Sequence, residues 1–229
     1  KAVMETLDPI TTTFFRFAIA AALLTPYIIF RSRGKSALNP RRFRSTTLLL
    51  QLLLAGLLLA GNYGLYILGL NRTTAEATQL MIQVAPMLLL VSGLWVFGES
   101  FSRGQWIGFG AFFSGLLIFF SPRFHDVFIA VNAYGVGMLM VFVAAVLWTG
   151  YAILQKFLLR EFSSQETMLV FYWIGALSFL PFTNFSSLPQ LSDLQWGLLI
   201  FCGLNTLIAY GSFAEAMVHI EASKVSTVL

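Results

Sequence analysis

Apolar runs of about 20 residues, the length that crosses a bilayer as a helix, recur along nearly the whole of this sequence. Residues 75–120 carry the pattern most fully. They read as two spanning helices joined by a polar elbow of Gly98, Glu99, Ser100, Phe101, Ser102 and Arg103. In the first helix Glu76, Gln79 and Gln83 share one face, and Pro86 follows. In the second, Gly104, Gly108, Ala111 and Gly115 form a face of small residues. A polar stripe costs free energy in lipid and faces a cavity as a rule, whereas small residues let helix backbones approach. The pair implies a bundle around a polar pathway.

Composition points the same way. Hydrophobic residues make up 58% of the chain and charged residues 10%, against roughly 45–50% and about 25% in soluble domains. With mean hydropathy at +0.80, a soluble fold would leave too much apolar surface in water. The apolar runs are continuous rather than alternating over about ten residues, which argues against a barrel. The fold class is therefore all-α, a polytopic transmembrane helix bundle.

Seven spanning segments are expected, at residues 9–30, 46–70, 74–97, 102–120, 134–154, 167–182 and 194–217, with an eighth beginning at 223. Basic residues concentrate after the odd-numbered segments: Arg31, Arg33, Lys35, Arg41, Arg42 and Arg44, then Arg103, Lys156, Arg160 and Lys224. Only Lys1, Arg72 and Arg123 fall on the other side. That bias places the richer loops in the cytoplasm. The net charge of +4 thus reflects topology and gives no reason to expect a nucleic-acid partner. The single cysteine, Cys202, excludes an intrachain disulfide.

The chain also echoes itself. Glu76-Ala77-Thr78 returns as Glu221-Ala222-Ser223, each after an apolar segment bearing an asparagine, Asn62 and Asn205. Lys1 and Thr12 pair less regularly with Lys156 and Thr167. A five-helix repeat would invert its second copy, and the charge bias agrees: one copy of the step follows Arg72, the other adjoins Lys224. The expected division is 1–122, a first repeat lacking its first helix, and 123–229, a second repeat truncated in its fourth. The parent would hold ten helices, with a proline about two residues beyond Leu229, at the spacing of Ala77 to Pro86.

These residues resemble the EamA family of the drug/metabolite transporter superfamily. The carrying stretch is 77–120: a small residue at the helix start, Pro86 nine positions on, the Gly98-Glu99 elbow, and the glycine-rich helix around Gly108. The resemblance implies ten helices in two inverted five-helix repeats, cytoplasmic termini, and transport of small metabolites, often outward, through a central cavity. It names no substrate.

Candidate site residues follow from polar groups at membrane depth. Asn62, Tyr66, Gln79, Gln83, Trp148, Tyr151, Asn205 and Tyr210 are the expected substrate-binding set; Gln155 shares a face with Trp148 and Tyr151. For each, the competing reading is helix packing by hydrogen bond or ring. Arg16, Glu76 and Glu215 are the candidates for coupling or for pairing an anion. Arg16, about 10 Å into its helix, could equally snorkel to the interface. Glu76 also suits a helix start, and Glu99 suits capping and pairing with Arg103. The small-residue face of the fourth segment is expected to pack against a helix.

His125 and His219 lie far apart and form no HExxH pair, so no metal is expected. No nucleophile elbow, phosphate loop or dinucleotide fingerprint occurs, so the chain is not read as an enzyme and no cofactor is expected. The expectation is a multi-pass inner-membrane secondary transporter, an exporter of small organic metabolites by alternating access, with lipid and solute as partners and a homodimer left open. The alternatives are a non-transporting membrane subunit or sensor and, further off, a membrane-embedded enzyme acting on lipid-linked substrates.

Overall fold

The computed structural model of the chain describes residues 3, 6–31, 45–123 and 132–226, Arg31 by its backbone alone. Lys1, Arg33, Lys35, Arg41, Arg42, Arg44 and His125, most of the connection from 123 to 133, and residues 227–229 of the eighth segment lie outside the described residues.

Among the described residues every regular element is helical. The α-helices are α1 (Pro9–Arg31), α2 (Thr46–Leu70), α3 (Ala75–Ile82), α4 (Val84–Phe97), α5 (Arg103–Phe120), α6 (Ala133–Leu158), α7 (Ser164–Phe179), α8 (Asp193–His219) and α9 (Ala222–Ser226). Five spans are long and apolar enough to cross a membrane: Pro9–Phe30, Thr46–Leu70, Ala75–Phe97, Ala133–Leu158 and Asp193–His219. Helices α5 and α7 fall short of that mark. Helix α5 opens on Arg103 and Gln105, which lower its hydropathy. At 16 residues α7 is about 24 Å long at 1.5 Å per residue, and a 3-10 turn, Leu180–Phe182, extends it.

Helix starts follow local chemistry. Asp8 accepts the main-chain N–H groups of Ile10 and Thr11, both at 2.9 Å, with Pro9 at the first helical position of α1. Thr74 opens α3 and accepts from the Ala77 N–H. Ser102 with Gln105 and Ser163 with Glu166 form reciprocal capping boxes at α5 and α7. The third expected segment is interrupted. Gln83 is a turn residue whose N–H turns to the Leu80 and Met81 carbonyls, so α3 ends at Ile82 and α4 begins at Val84. Pro86 explains it. Its ring crowds the carbonyl of Ile82, and it has no N–H to give that carbonyl.

The helices form two compact units, Lys1–Ala60 with Leu154–His219, and Gly61–Ile153 with Ile220–Leu229. Each draws on both sides of residue 122, so packing units and expected repeats partition the chain differently. In the first unit α1 packs on α7 and α8. Glycines set the approach: a Cβ at Gly175 would lie 2.7 Å from the Phe17 ring, and one at Gly203 would lie 2.6 Å from Ile19. In the second unit α2 and α6 close on each other at Gly69 and Gly137. A Cβ at Gly137 would meet Thr73 at 2.7 Å and Arg72 at 2.8 Å; one at Gly69 would meet the Gly137 carbonyl at 2.7 Å.

The small-residue face of α5 behaves otherwise. Among the described residues a Cβ at Gly108, Gly110 or Gly115 would meet nothing within 4 Å, and at Gly104 only the Ser102 hydroxyl at 3.9 Å. The expected close packing of that stripe is not made here. Its spacing resembles a packing face, yet spacing alone names no partner.

The contrast is measurable. Gly137→Val should destabilise the protein by about 1–3 kcal/mol, as overpacking does, and lower the midpoint of thermal unfolding in detergent by several degrees. Gly108→Val should leave the midpoint within about a degree. Equal losses at the two positions would refute the packing described.

Candidate functional site

Six of the expected binding residues fall in the second unit. Asn62 is buried on α2, and its amide donates to the Ala144 carbonyl of α6 at 2.8 Å. One turn on, the Tyr66 hydroxyl donates to Gln79 Oε1 of α3 at 3.4 Å, an exposed contact. Gln83 is half-buried at the break between α3 and α4. From α6, Trp148 is half-buried and Tyr151 fully buried, their rings edge to face with centroids 6.3 Å apart. Between them Thr149 donates to the Ala85 carbonyl, in the first turn of α4, at 3.2 Å, and to the Ala145 carbonyl of its own helix at 2.9 Å.

The structure thus brings Asn62, Tyr66 and Gln79 into one hydrogen-bonded neighbourhood of α2, α3 and α6, next to the Gln83 break. Their roles differ. Asn62 spends a donor on a helix carbonyl, the packing use of an amide, at about 0.6 kcal/mol in a membrane. Gln79 and Tyr66 meet at the exposed surface of the unit. Glu76 is exposed in the first turn of α3, as suits a carboxylate at a helix start.

The other candidates lie in the first unit. Arg16 is half-buried on α1, and its Nε donates to Thr206 Oγ1 of α8 at 3.2 Å. Thr206 in turn donates to the Cys202 carbonyl at 2.9 Å, so its lone pairs are turned to the guanidinium. Buried Tyr172 of α7 donates to the Thr206 carbonyl at 3.1 Å. Tyr210 is half-buried, while Asn205 is exposed, off the buried stripe of Leu199, Gly203, Thr206, Phe213 and Met217. Glu215 is exposed too. One oxygen pairs with His219 Nε2 at 3.1 Å and the other accepts the Ser164 hydroxyl. A cavity of about 40 Å³, lined by Leu24, Ser164, Met168, Tyr172, Leu207 and Gly211, lies within this unit. It has room for a water or two and is far below the several hundred Å³ of a small-molecule site.

Sequence reasoning passed over Thr149, Thr206 and Tyr172. Polar residues inside apolar runs were the signal. A threonine hydroxyl usually folds back on its own helix carbonyl, so only coordinates reveal which ones also reach a neighbour. Gln155, by contrast, shows a cost. It is fully buried, its amide donates to Met168 Sδ at 3.2 Å, and its Oε1 has no hydrogen-bond partner among the described residues.

Glu99 also differs from expectation. Rather than serving α5 or Arg103, its two carboxylate oxygens accept the main-chain N–H groups of Ala222 and Ser223, each at 2.8 Å.

Such an arrangement, with five apolar helices long enough to span and polar side chains held inside them, defines a polytopic membrane protein. The family model of the EamA-like transporter family matches residues 1–121 and 135–229, and the chain belongs to that family. It is similar to an uncharacterized transporter of Haemophilus influenzae, 32% identical over 230 residues covering the whole chain and 73% of that protein. It is equally similar to the uncharacterized inner membrane transporter YhbE of Escherichia coli, at 32% identity over the whole chain and 70% of that protein. One solved crystal structure shares the fold, with a TM-score of 0.70 at 16% identity over the whole chain and 77% of its own. The chain is a multi-pass membrane transporter.

A buried unpaired carbonyl is expensive, whereas an apolar group of similar shape is not. Gln155→Leu should therefore leave the thermal midpoint unchanged or raise it, read by fluorescence-detected unfolding in nanodiscs. A loss of more than about 2 kcal/mol would show that Oε1 is bonded in the folded protein.

Proposed function

We propose that this chain is an inner-membrane secondary transporter that exports small organic metabolites by alternating access. The observation that carries the reading is the discontinuous span. Between α3 and α4 the helical ladder is interrupted at Gln83, whose backbone stays helical (φ −66°, ψ −7°); Pro86 leaves the Ile82 carbonyl without its helix donor, and Tyr66 bonds Gln79 one turn before the break. Interrupted helices at membrane depth are tolerated where they line a cavity, and transporters use them to hold solute. Gln79, Gln83, Tyr66 and Trp148, all of the second unit, are the groups we assign to the solute.

Two further points support the reading. The family model matches the chain in two stretches, as a duplicated carrier would. The offset of 145 residues between Glu76 and Glu221 (221 minus 76) aligns the start of α3 with the start of α9. On this reading the halves at 1–122 and 123–229 are inverted repeats, and the basic loops face the cytoplasm. The polar groups beside the break are amides and hydroxyls, which suits a polar, uncharged or zwitterionic part of the solute. Arg16, oriented by Thr206, is the group we assign to an anion, and Glu76 and Glu215 are the carboxylates we assign to coupling.

Counterflow in proteoliposomes, with radiolabelled amino acids, nucleosides, monosaccharides and short carboxylic acids as the panel, tests this. At least one class should exchange, and Gln83→Leu should slow it by about tenfold or more with the thermal midpoint retained, since a lost polar contact to solute is not replaced. If no class exchanges, the chain is read instead as a non-transporting subunit or sensor.

A further inference from the structure

Helix α9 begins without a cap of its own. By the internal alignment the step at its start, Glu221 before the helix and Ala222-Ser223 within it, corresponds to Glu76-Ala77-Thr78 of α3. There the residue three places before Ala77 is Thr74, whose hydroxyl accepts the Ala77 N–H at 3.3 Å. The residue three places before Ala222 is His219. Its ring is engaged with Glu215 one turn back at 3.1 Å, and Glu221 pairs with Lys224 at 2.9 Å. Neither takes up the first N–H groups of α9.

Glu99 does. It sits 123 residues earlier, just past Gly98, whose left-handed backbone (φ 66°) turns the chain out of α4. The Glu99 N–H closes the helix end on the Gly93 carbonyl at 2.9 Å, and its side chain spans to both Ala222 and Ser223. The fit is close. A Cβ at Gly93 would come within 2.6 Å of Glu99 Oε2 and 3.1 Å of Ser223 Cβ. The Ser223 hydroxyl, fully buried, makes no hydrogen bond among the described residues. Charge-assisted bonds from two main-chain donors to one carboxylate are strong. They join α9 to the α4–α5 elbow, whereas a local cap such as Thr74 joins a helix start only to itself.

We infer that Glu99 is a clasp, fastening the start of α9 to the α4–α5 elbow, and that its release and closure are a step of the transport cycle at that membrane face. The inference rests on the transporter reading for its purpose and on the geometry of the clasp for its existence. When the elbow parts from α9 both N–H groups lose their acceptor together. The contact therefore has two states, made and unmade. Glu99 is a positioning residue: it acts through α9 and needs no contact with solute.

The test reads opening without any solute. The chain carrying Ser223→Cys in a Cys202→Ser background, in lipid nanodiscs, is treated with N-ethylmaleimide. Because position 223 is closed to solvent in the clasped form, alkylation reports release, and it should be slow but measurable. Glu99→Ala should speed it by about tenfold or more, and Glu99→Gln, which keeps one acceptor, by less. Adding Glu221→Thr to Glu99→Ala puts a hydroxyl at the residue immediately before α9, where Thr74 stands before α3, and so supplies a local cap. It should recover the thermal midpoint while alkylation stays fast, because the elbow is still unfastened.

Alkylation returning to the parent rate in that double variant would make Glu99 a mere helix cap and overturn the inference. So would a parent chain that resists alkylation throughout, or a Glu99→Ala chain no faster than the parent. Since no solute is needed, failure here is distinct from failure of the counterflow assay, which would overturn the transporter reading instead.

Discussion

No water in a bilayer core is available to satisfy a main-chain N–H or C=O, so each must find its partner within the protein. That constraint governs this chain. Its long spans, such as α2, α6 and α8, meet it by being continuous helix. Hydroxyls within its helices often turn back on their own carbonyls, as Thr25 does on Ala21, Ser92 on Leu88 and Ser178 on Ile174. Polar side chains are thereby made tolerable in lipid. Where a helix stops within the protein, something else has to supply the partner, and those few places are where the structure becomes specific.

Two such places stand out. At Gln83 the helical ladder is interrupted because Pro86 cannot donate and its ring crowds the preceding turn. Nearby, Thr149 of α6 takes the Ala85 carbonyl, and Tyr66 meets Gln79. At the start of α9 the missing donor–acceptor pair is completed by Glu99 from a distant elbow. At α9 the polar demand of a helix start is answered by a side chain from another element. An interruption such as that at Gln83 also offers polar groups at depth, and that joins the fold to carriage of a solute.

Much of this was legible in the residues. The limits of α2 follow from an apolar run bounded by Ser45 and Asn71, and the elbow from Gly98 to Ser102 was plain because Gly ends a helix and Ser begins one. Polar residues at depth were visible by type but not by partner. Asn62 and Gln83 look alike in sequence; one is spent on the Ala144 carbonyl and the other sits at a helix break. Glu99 invited a local reading because Arg103 lies four residues on, while its acceptors' donors lie 123 and 124 residues away. The glycine stripe of α5 misled for a related reason. Small residues at intervals of four mark a surface fit for close approach, but the approaches actually made occur at Gly69, Gly137, Gly175 and Gly203. Helical spacing records which face is smooth, and only three-dimensional placement says what meets it.

The account stands on the Gln83 break being a hydrated opening in an otherwise dry span. Hydrogen–deuterium exchange in lipid nanodiscs reads this directly. The main-chain amides of residues 82–85 should exchange far faster than those of residues 88–96 in α4 and 138–150 in α6. Protection at 82–85 equal to that of the flanking helices would mean a sealed kink with no polar opening, and would contradict the account.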